Sequence, residues 1–241
     1  MISVVINILN EAEAIGRALK SIFDQRSCDI EVIVVDDGST DNLDGALKAW
    51  RDRITLIRFD QNKGRQVARN AGIAAARGQY LFVCDADIVL ESDCFKKMLA
   101  ALAERPECSY AYSGYRFGSK VYTSFPFDQK TLRNANYINT ASLVKRSDHP
   151  GFDESIEKFQ DWDVWLTMLE NGYIGAYIPE ILFSFRSPTR AGALSAPYPL
   201  WMYRIPWCLF GIRIQKIDDY HRWRKIIQTK HGIVAEKRRE R

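Results

Sequence analysis

Apolar and polar positions alternate in blocks over the first hundred residues. Continuous apolar runs at 2–9, 31–35, 54–59 and 80–84 predict four strands that are buried on both faces. The stretches between them carry apolar residues at helical spacing, and the first of these follows Asn10, which we expect to be its N-cap. Buried strands that alternate with helices are typical of a parallel sheet covered on both sides.

The pattern is less regular after residue 105. We expect strands at 110–117 and 137–144 with an irregular stretch between them, and an amphipathic helix at 161–172. A strand pair is expected at 173–185, interrupted at Pro179. The last part of the chain is aromatic and then basic, and it is expected to be helical from about Ile214.

These patterns suggest how the chain is divided. We expect one domain over 1–195. Its first half, 1–105, has the regular pattern, and its second half, 106–195, has the irregular one. Residues 196–241 then form a C-terminal extension.

Composition and charge exclude several classes of protein. The 241 residues are 46% hydrophobic and 27% charged, as in folded globular proteins. The net charge is +4, but residues 222–241 hold eight Lys and Arg against two Glu, so the remainder is slightly acidic. This distribution argues against a nucleic-acid partner and suits a tail that contacts an anionic membrane surface. Neither a secretory signal nor an apolar run of roughly 20 residues is visible, so we expect a cytoplasmic protein, with the tail at the inner face of the membrane.

Polar side chains follow three of the predicted strands. Asn7, the pair Asp36 and Asp37, and the pair Asp85 and Asp87 come at or just after strand ends. In parallel sheets ligands bind beyond the carboxyl ends of the strands. Two carboxylates one residue apart need a compensating cation when they are buried, and Mg²⁺ or Mn²⁺ suits oxygen ligands. The residues alone leave two other interpretations open, solvated loop acids and helix caps.

Several motifs in order resemble the family 2 glycosyltransferases of the glycosyltransferase-A fold. The resemblance covers about residues 1–186. The matching segments are Val4-Val5-Ile6 with Asn10-Glu11, Glu31 to Asp41, Asn62-x-Gly64, Ala68-Arg69-Asn70-x-Gly72, Arg77-Gly78, Asp85-Ala86-Asp87, Gly151-Phe152-Asp153-Glu154, Gln160-Asp161-Trp162 and Ile178-Pro179-Glu180. The resemblance implies an α/β, Rossmann-like fold, with a mostly parallel central sheet, helices on both faces and a helical C-terminal tail.

The resemblance also implies an activity and a set of roles. The family members are metal-dependent, inverting enzymes that move a sugar from a nucleotide-diphospho-sugar to a hydroxyl group. The first half of the domain would bind the nucleotide and the second half the acceptor. By position, Asp37 would bind the base beside Asp36, Asn7 and Leu9 would wall the base pocket, Asp85 would bind ribose, Asp87 would hold the Mn²⁺ or Mg²⁺ ion, and Asp161 would be the catalytic base.

Some positions depart from the family pattern. The family often has Pro and Tyr where this chain has Asn7 and Leu9, and it usually has Glu where this chain has Gln160. Gln160, Trp162 and Asp163 remain candidates for acceptor contacts, with Asp163 as the reserve base and Trp162 alternatively a core residue. Arg186 and Arg190 flank a proline-rich loop and are candidates for the diphosphate. If Asp161 is only a helix cap, the helix dipole is expected to lower its pKa.

The expected partners are a donor, with a UDP-sugar favoured, and a glycan or lipid-linked acceptor in surface polysaccharide or glycolipid synthesis. A non-catalytic sugar-nucleotide or glycan-binding module on the same fold is the main alternative. A sugar nucleotidyltransferase is less favoured, because the segment 7–11 lacks the glycine-rich loop of that class. A Rossmann dehydrogenase is excluded by the absence of GxGxxG after the first strand.

Overall fold

A computed structural model describes residues 1–25, 28–185 and 214–233. The strands are β1 (Ile2–Ile8), β2 (Ile30–Asp36), β3 (Thr55–Arg58), β4 (Tyr80–Asp85), β5 (Ile88–Leu90), β6 (Cys108–Phe117), β7 (Lys120–Tyr122), β8 (Leu143–Lys145) and β9 (Ile174–Phe185). The helices are α1 (Ala12–Phe23), α2 (Leu43–Leu47), α3 (Arg65–Ala75), α4 (Cys94–Glu104), α5 (Gln129–Asn134), α6 (Gln160–Glu170) and α7 (Gln215–Lys230), with 3-10 turns at Lys48–Arg53 and Arg146–Asp148.

One mixed sheet contains all the described strands. Its order is β3-β2-β1-β4-β8-β6-β9-β5, and β7 pairs with β6. The first four strands in this order are parallel, and β6 is parallel to β9, whereas β8, β5 and β7 pair antiparallel. The predicted α/β architecture with a mostly parallel sheet is therefore confirmed.

Helices cover both faces of the parallel strands. All seven residues of β1 are buried, and successive side chains of a strand point to opposite faces. Val4 and Ile6 belong to the core cluster that contains the buried faces of α1 and α4. Val5 faces the other way and packs against α3 at Gly72. Burial on both faces explains why these strands are continuous apolar runs.

Asn10 is not the N-cap of the first helix, so that expectation is wrong. Its backbone has a φ of 56°, and its side-chain oxygen accepts the Thr40 amide at 2.8 Å. The Ala12 amide at the start of α1 donates instead to Asp41 Oδ2, also at 2.8 Å. The cap therefore comes from the loop after β2, which ties that loop to the beginning of α1.

The second half of the domain differs more from expectation. The strand predicted at 137–144 is reduced to β8, because Asn139 accepts the Ala141 amide and its carbonyl accepts the Ser142 hydroxyl, and these bonds replace the sheet ladder. The predicted strand pair at 173–185 is one strand, β9. The register between β6 and β9 shifts beside Ile178 and Ile181, and this irregularity accommodates Pro179. The strands β5 and β7 and the helix α5 were not predicted.

The described residues fall into two compact units. Residues 1–156 and 160–185 belong to the first, and residues 157–159 and 214–233 to the second. In the second unit, Lys158 forms a 2.9 Å ion pair with Asp219 of α7. The expected boundary at 195/196 lies outside the described residues, and the division at 105/106 stays a prediction. Within the described ranges, none of the helices has both the length and the apolar character needed to cross a bilayer.

Two glycines in helix interiors provide a matched test of the packing of α3. A methyl group on Gly72 would overlap the Val5 side chain and lie 3.1 Å from Val35 Cγ2, whereas one on Gly16 would meet nothing within 4 Å. We expect Gly72→Ala to lower the free energy of unfolding by about 1–2 kcal/mol through overpacking. We expect Gly16→Ala to raise it by up to about 1 kcal/mol through helix propensity. Urea denaturation measures both, and equal effects of the two changes would contradict this packing.

Candidate active site

The polar residues expected at the strand ends do lie side by side. Asn7 of β1 is in register with Asp85 of β4, and Ile8 with Asp36 of β2. A cleft of about 140 Å³ opens at this edge of the sheet. It is lined by Arg65, Arg69, Cys84, Asp85, Asn139, Thr140, Ala141, Gln160, Asp161 and Phe185. Of the candidates from the sequence, Asp85, Gln160 and Asp161 therefore share one cleft.

The guanidinium of Arg69 connects the elements around the cleft. It is 2% exposed, its Nη2 donates to Asp85 Oδ1 at 2.8 Å, and its Nε donates to Asn7 Oδ1 at 3.0 Å. Its Cζ lies 5.0 Å from the centre of the Phe152 ring. Nη1 is buried and has no hydrogen-bond partner among the described residues. Arg69 belongs to one of the motifs, but the sequence pattern predicts no role for it. The available signal was a charged residue three positions before the buried Gly72 of the same helix.

The two carboxylates after β4 have opposite electrostatic surroundings. Burial alone would raise the pKa of Asp85, but the charges of Arg69 and Arg65 hold that pKa below its usual value. The pKa of Asp87 is raised to about 6, first by burial and then by the charge of Asp85. Glu11, at the start of α1, belongs to the same acidic group, since burial and the charges of Asp87 and Asp85 raise its pKa to about 7.

The acidic pair at the end of β2 organises the neighbouring loops. Asp37 is 4% exposed and accepts the amides of Lys63 and Gly64 at 2.6 and 3.1 Å. Asp36 is 1% exposed and accepts from the Ser39 amide and from Arg58 Nε, each at 2.8 Å. Both oxygens of each carboxylate are bonded, so the pair fixes the loop after β2 and the turn before α3.

Helix α3 also holds the loop that leads to α6. Asn70 Nδ2 donates to the Phe152 carbonyl at 2.8 Å and to Glu154 Oε1 at 3.0 Å, and Asn70 Oδ1 accepts the Phe152 amide at 2.8 Å. Gln66, one turn earlier, donates to the Ile156 carbonyl. The helix that carries Arg69 therefore also fixes the segment that precedes Asp161.

Asp161 lies in the first turn of α6, and its oxygen Oδ1 accepts the Trp162 amide at 2.9 Å. The pKa of Asp161 is raised, because desolvation by burial outweighs the bonds and the Arg69 charge that lower it. The expectation that the helix dipole would lower this pKa is therefore wrong. A raised pKa makes the carboxylate a stronger proton acceptor.

The other candidate residues lie in different surroundings. Trp162 and Asp163 are 2% and 3% exposed and do not line this cleft, and their contact with an acceptor stays a prediction. The Trp162 indole donates to the Leu132 carbonyl at 2.7 Å, so this residue belongs to the core, as the alternative interpretation had it. Leu9 is 38% exposed at the rim. Arg186 and Arg190 lie outside the described residues.

The residues present fit a divalent metal of the Mg²⁺ or Mn²⁺ type. Among the described residues Asp87 forms no ion pair, whereas Asp85 is paired with Arg69. The described ranges also contain no group of three His, Cys, Asp or Glu side chains arranged to hold a metal. Such ions are commonly held by one or two carboxylates together with substrate phosphates and water. A half-buried carboxylate that forms no ion pair among the described residues matches that kind of site.

Parallel strands with a carboxylate-lined cleft at their carboxyl ends are typical of α/β proteins that bind a ligand beyond the strand ends. The model of glycosyl transferase family 2 matches residues 3–155, which is more than half of the chain. The chain therefore belongs to glycosyl transferase family 2, and it is a glycosyltransferase.

One curated relative is the putative teichuronic acid biosynthesis glycosyltransferase TuaG of Bacillus subtilis. It is 27% identical over 201 residues, which are 77% of this chain and 79% of that protein. Other relatives are matched over a smaller share, including one that is 39% identical over 99 residues but is covered over only 28% of its length.

Solved structures support the glycosyltransferase-A fold. TarS 1–349 of S. aureus in complex with UDP-GlcNAc matches with a TM-score of 0.69 and 15% identity, over 96% of this chain and 71% of that one. The mannosyltransferase PcManGT of Pyrobaculum calidifontis, in complex with GDP-Man and Mn²⁺, matches with a TM-score of 0.65 and 20% identity, over 96% and 69%. The fold expected from the sequence is thereby confirmed.

Two arginines near Asp85 allow a matched test of the buried pair. We expect Arg69→Met to lower the free energy of unfolding at pH 7 by about 2–3 kcal/mol, because it leaves Asp85 without its buried partner. Arg65 is half exposed and 3.9 Å from the same carboxylate, so Arg65→Met should cost less than about 1 kcal/mol.

The pH dependence adds a second check on this pair. The folded-state pKa of Asp85 is lowered, so its contribution is present at neutral pH and is lost as the pH falls through that pKa. The difference in the free energy of unfolding between wild type and Arg69→Met should therefore become smaller in acid. A gap that stays constant from pH 7 to pH 3 in urea denaturation would show that Asp85 is not its source.

Proposed function

We propose that this protein transfers a sugar from a nucleotide-diphospho-sugar to an acceptor hydroxyl, with inversion at the anomeric carbon. The observation that carries the proposal is the single cleft that Asp85, at the end of β4, shares with Asp161, at the start of α6. The first residue is at the place where a donor would bind, and the second has the properties of a base. If a donor and an acceptor meet in this cleft, Asp85 would lie on the donor side of the reacting bond and Asp161 on the acceptor side.

The donor would bind at the carboxyl ends of β1, β2 and β4. Asp37 would contact the base, Asn7 and Leu9 would form part of the base pocket, and Asp85 would bind ribose. Asp36 would lie beside Asp37 in the nucleotide site. UDP-sugars are the favoured donors, since TarS structures contain UDP and UDP-GlcNAc, although the PcManGT complex contains GDP-Man.

Asp87 would hold a divalent metal ion beside the diphosphate. When bound, such an ion offsets the negative charge that develops on the departing diphosphate. In the protein itself, the positive charges of Arg65 and Arg69 face the same cleft. Arg186 stays a proposed diphosphate contact, because an arginine pairs well with phosphate oxygens.

Asp161 would act as the general base. As the acceptor oxygen attacks the anomeric carbon, its proton passes to the Asp161 carboxylate, and the bond from that carbon to the diphosphate oxygen breaks. Attack from the face opposite the diphosphate inverts the configuration. Burial keeps the pKa of Asp161 raised, and this favours proton uptake. Gln160, which lines the cleft, would orient the acceptor through its side-chain amide.

The acceptor is proposed to be a glycan or lipid-linked intermediate of a cell-surface polymer. The names of the relatives support this class, since they include proteins of teichuronic acid, teichoic acid and succinoglycan synthesis. A tail that contacts an anionic membrane would bring the enzyme to such an acceptor. In the described part of the tail, Arg222 and Lys225 are exposed one turn apart on α7.

A thermal-shift panel tests the donor and metal assignments. UDP, GDP, dTDP and CDP are each added with and without Mn²⁺ to wild type, Asp87→Ala, Asp161→Asn and the control Asp52→Ala. The control changes an exposed acid of the 3-10 turn Lys48–Arg53 that does not line the cleft. A nucleotide present at a hundred times its Kd should raise the Tm by about 5–10 °C. The shift should require Mn²⁺, be lost in Asp87→Ala and persist in Asp161→Asn and Asp52→Ala.

The nucleotide that raises the Tm identifies the nucleobase of the donor. Sugar transfer or donor hydrolysis is then measured with sugar nucleotides that carry this nucleobase. Asp161→Asn should lower the rate of nucleoside diphosphate release by at least about a hundredfold. Nucleotide binding without any release from wild type would favour the non-catalytic binding module. A metal-dependent shift that survives in Asp87→Ala would remove the metal role of that residue.

Vesicle flotation tests the membrane contact with the full chain. Wild type should float with phosphatidylglycerol vesicles and not with phosphatidylcholine vesicles. The double change Arg222→Glu/Lys225→Glu should reduce the bound fraction at least about tenfold, because each basic residue near an anionic surface contributes about 1 kcal/mol. Lys96→Glu/Lys130→Glu changes the net charge equally at exposed positions elsewhere and should float like wild type. Equal behaviour of the two double variants would refute a contact through α7.

A further inference from the structure

Several residues that line the cleft carry no charge and have no part in the reaction proposed above. Three of them are consecutive, and the fourth is the last residue of β9; they are Asn139, Thr140, Ala141 and Phe185. We call these four residues the neutral patch. They share the cleft with the carboxylates of Asp85 and Asp161, so a ligand that reaches both carboxylates also meets the neutral patch.

The first three residues of the neutral patch lie beyond the carboxyl end of β4. The strand β8 begins at Leu143, which is opposite Phe82, and it runs antiparallel to β4. The residues just before Leu143 therefore continue toward Asp85, the last residue of β4. In the sheet order, β8 comes directly after β2, β1 and β4, whose ends would bind the nucleotide. The part of the donor that follows the nucleotide would therefore meet the segment 139–141.

Phe185 lies next to the second carboxylate of the motif. It pairs with Ile88, which directly follows Asp87. Its ring is in edge contact with the rings of Tyr115 and Phe183, whose centres are 5.7 and 5.6 Å away. The orientation of the Phe185 ring is therefore fixed by contacts within the protein.

The segment 139–141 is fixed by its own hydrogen bonds. Asn139 Oδ1 accepts the Ala141 amide at 2.9 Å. The Asn139 carbonyl accepts the Ser142 hydroxyl, and the Thr140 carbonyl accepts the Ser142 amide, each at 2.7 Å. The side chain of Thr140 is not used in this way. Thr140 is half buried, and its hydroxyl makes no hydrogen bond within the described part of the chain.

An aromatic ring beside an uncharged hydroxyl group suits a sugar. A pyranose carries hydroxyl groups around its edge, and its C–H bonds form apolar patches on its two faces. The apolar patches can pack on an aromatic ring, and the hydroxyl groups need hydrogen-bond partners when they leave water. Ligand sites commonly combine an apolar surface with a few placed polar groups in this way.

We propose that the neutral patch is the subsite for the transferred sugar and that it takes an uncharged pyranose. Phe185 would pack against a C–H face of the ring, and Thr140 would bond to one of its hydroxyl groups. The inference rests on the proposed function, because a diphosphate beside Asp87 would place the attached sugar next to Phe185. A carboxylate on the sugar would find no cation among these four residues, and the charge of Asp161 in the same cleft would repel it.

Isothermal titration calorimetry of the full chain with Mn²⁺ separates the sugar from the nucleotide. The ligands are UDP, UDP-glucose, UDP-GlcNAc and UDP-glucuronate, and GDP, GDP-mannose and GDP-mannuronate. The two uronates differ from their neutral counterparts only in the oxidation of C6 to a carboxylate. We expect wild type to bind a neutral sugar nucleotide at least about tenfold more tightly than the uronate with the same nucleobase.

Two conservative variants test the neutral patch itself. Phe185→Leu keeps an apolar side chain but loses the flat ring, and Thr140→Val keeps the shape but loses the hydroxyl. Each should weaken binding of the neutral sugar nucleotide about three- to tenfold and change binding of the bare nucleoside diphosphate less than about twofold. Phe117→Leu, at a half-buried position of β6, and Thr55→Val, at an exposed position of β3, do not touch the cleft lining and should leave both affinities unchanged.

The outcomes separate this inference from the proposed function. Equal losses of affinity for the bare and the sugar nucleotide in both variants would indicate a general disturbance of the site and overturn the inference. Unchanged affinities in both variants, with sugar transfer lowered, would assign the neutral patch to the acceptor and overturn it as well. Tighter binding of a uronate would show that the class of sugar is wrong. A protein that binds none of the nucleotides of the thermal-shift panel would contradict the proposed function and, with it, the inference.

Discussion

The structure around the cleft depends on one buried guanidinium. Arg69 bonds to Asn7 of β1 and to Asp85 of β4, and it lies over the ring of Phe152 in the loop before α6. A charge that is 2% exposed is tolerated only because these partners compensate its lost hydration. The same contacts keep Asp85 ionised, whereas Asp87 forms no ion pair among the described residues.

Helix α3 relates the two halves of the reaction to each other. Through Arg69 it contacts the strands where the donor would lie, and through Asn70 and Gln66 it holds the loop that leads to Asp161. Gly72 lets the helix approach the sheet closely enough for Arg69 to reach β1 and β4. The strand ends with Asn7 and Asp85 and the loop before Asp161 are therefore held by one helix rather than by two independent loops.

The sequence predicts the parallel half of the sheet well, because strands buried on both faces leave continuous apolar runs such as 2–9 and 80–84. It predicts the second half poorly. Short strands such as β5 and β7 have three residues each and carry no periodic signal, and Asn139 diverts its segment from the ladder through local bonds.

The candidate site divides in a similar way. Asp85 and Asp161 were found because motifs mark them, and the cleft does bring them together. The pKa direction of Asp161 was missed, since desolvation depends on what the rest of the chain packs around it.

The short strand β5 has a consequence for how the site is assembled during synthesis. It begins directly after Asp87, yet it pairs with β9, with Ile88 opposite Phe185 at the far end of that strand. Asp87 is therefore held from one side by an early strand and from the other by the last strand of the sheet. A ribosome-bound chain that has completed only β1 to β4 already contains Asn7 and Asp85, the residues that bond to Arg69. It does not yet contain β9, so the surroundings of the two carboxylates depend on parts of the chain that are synthesised at different times.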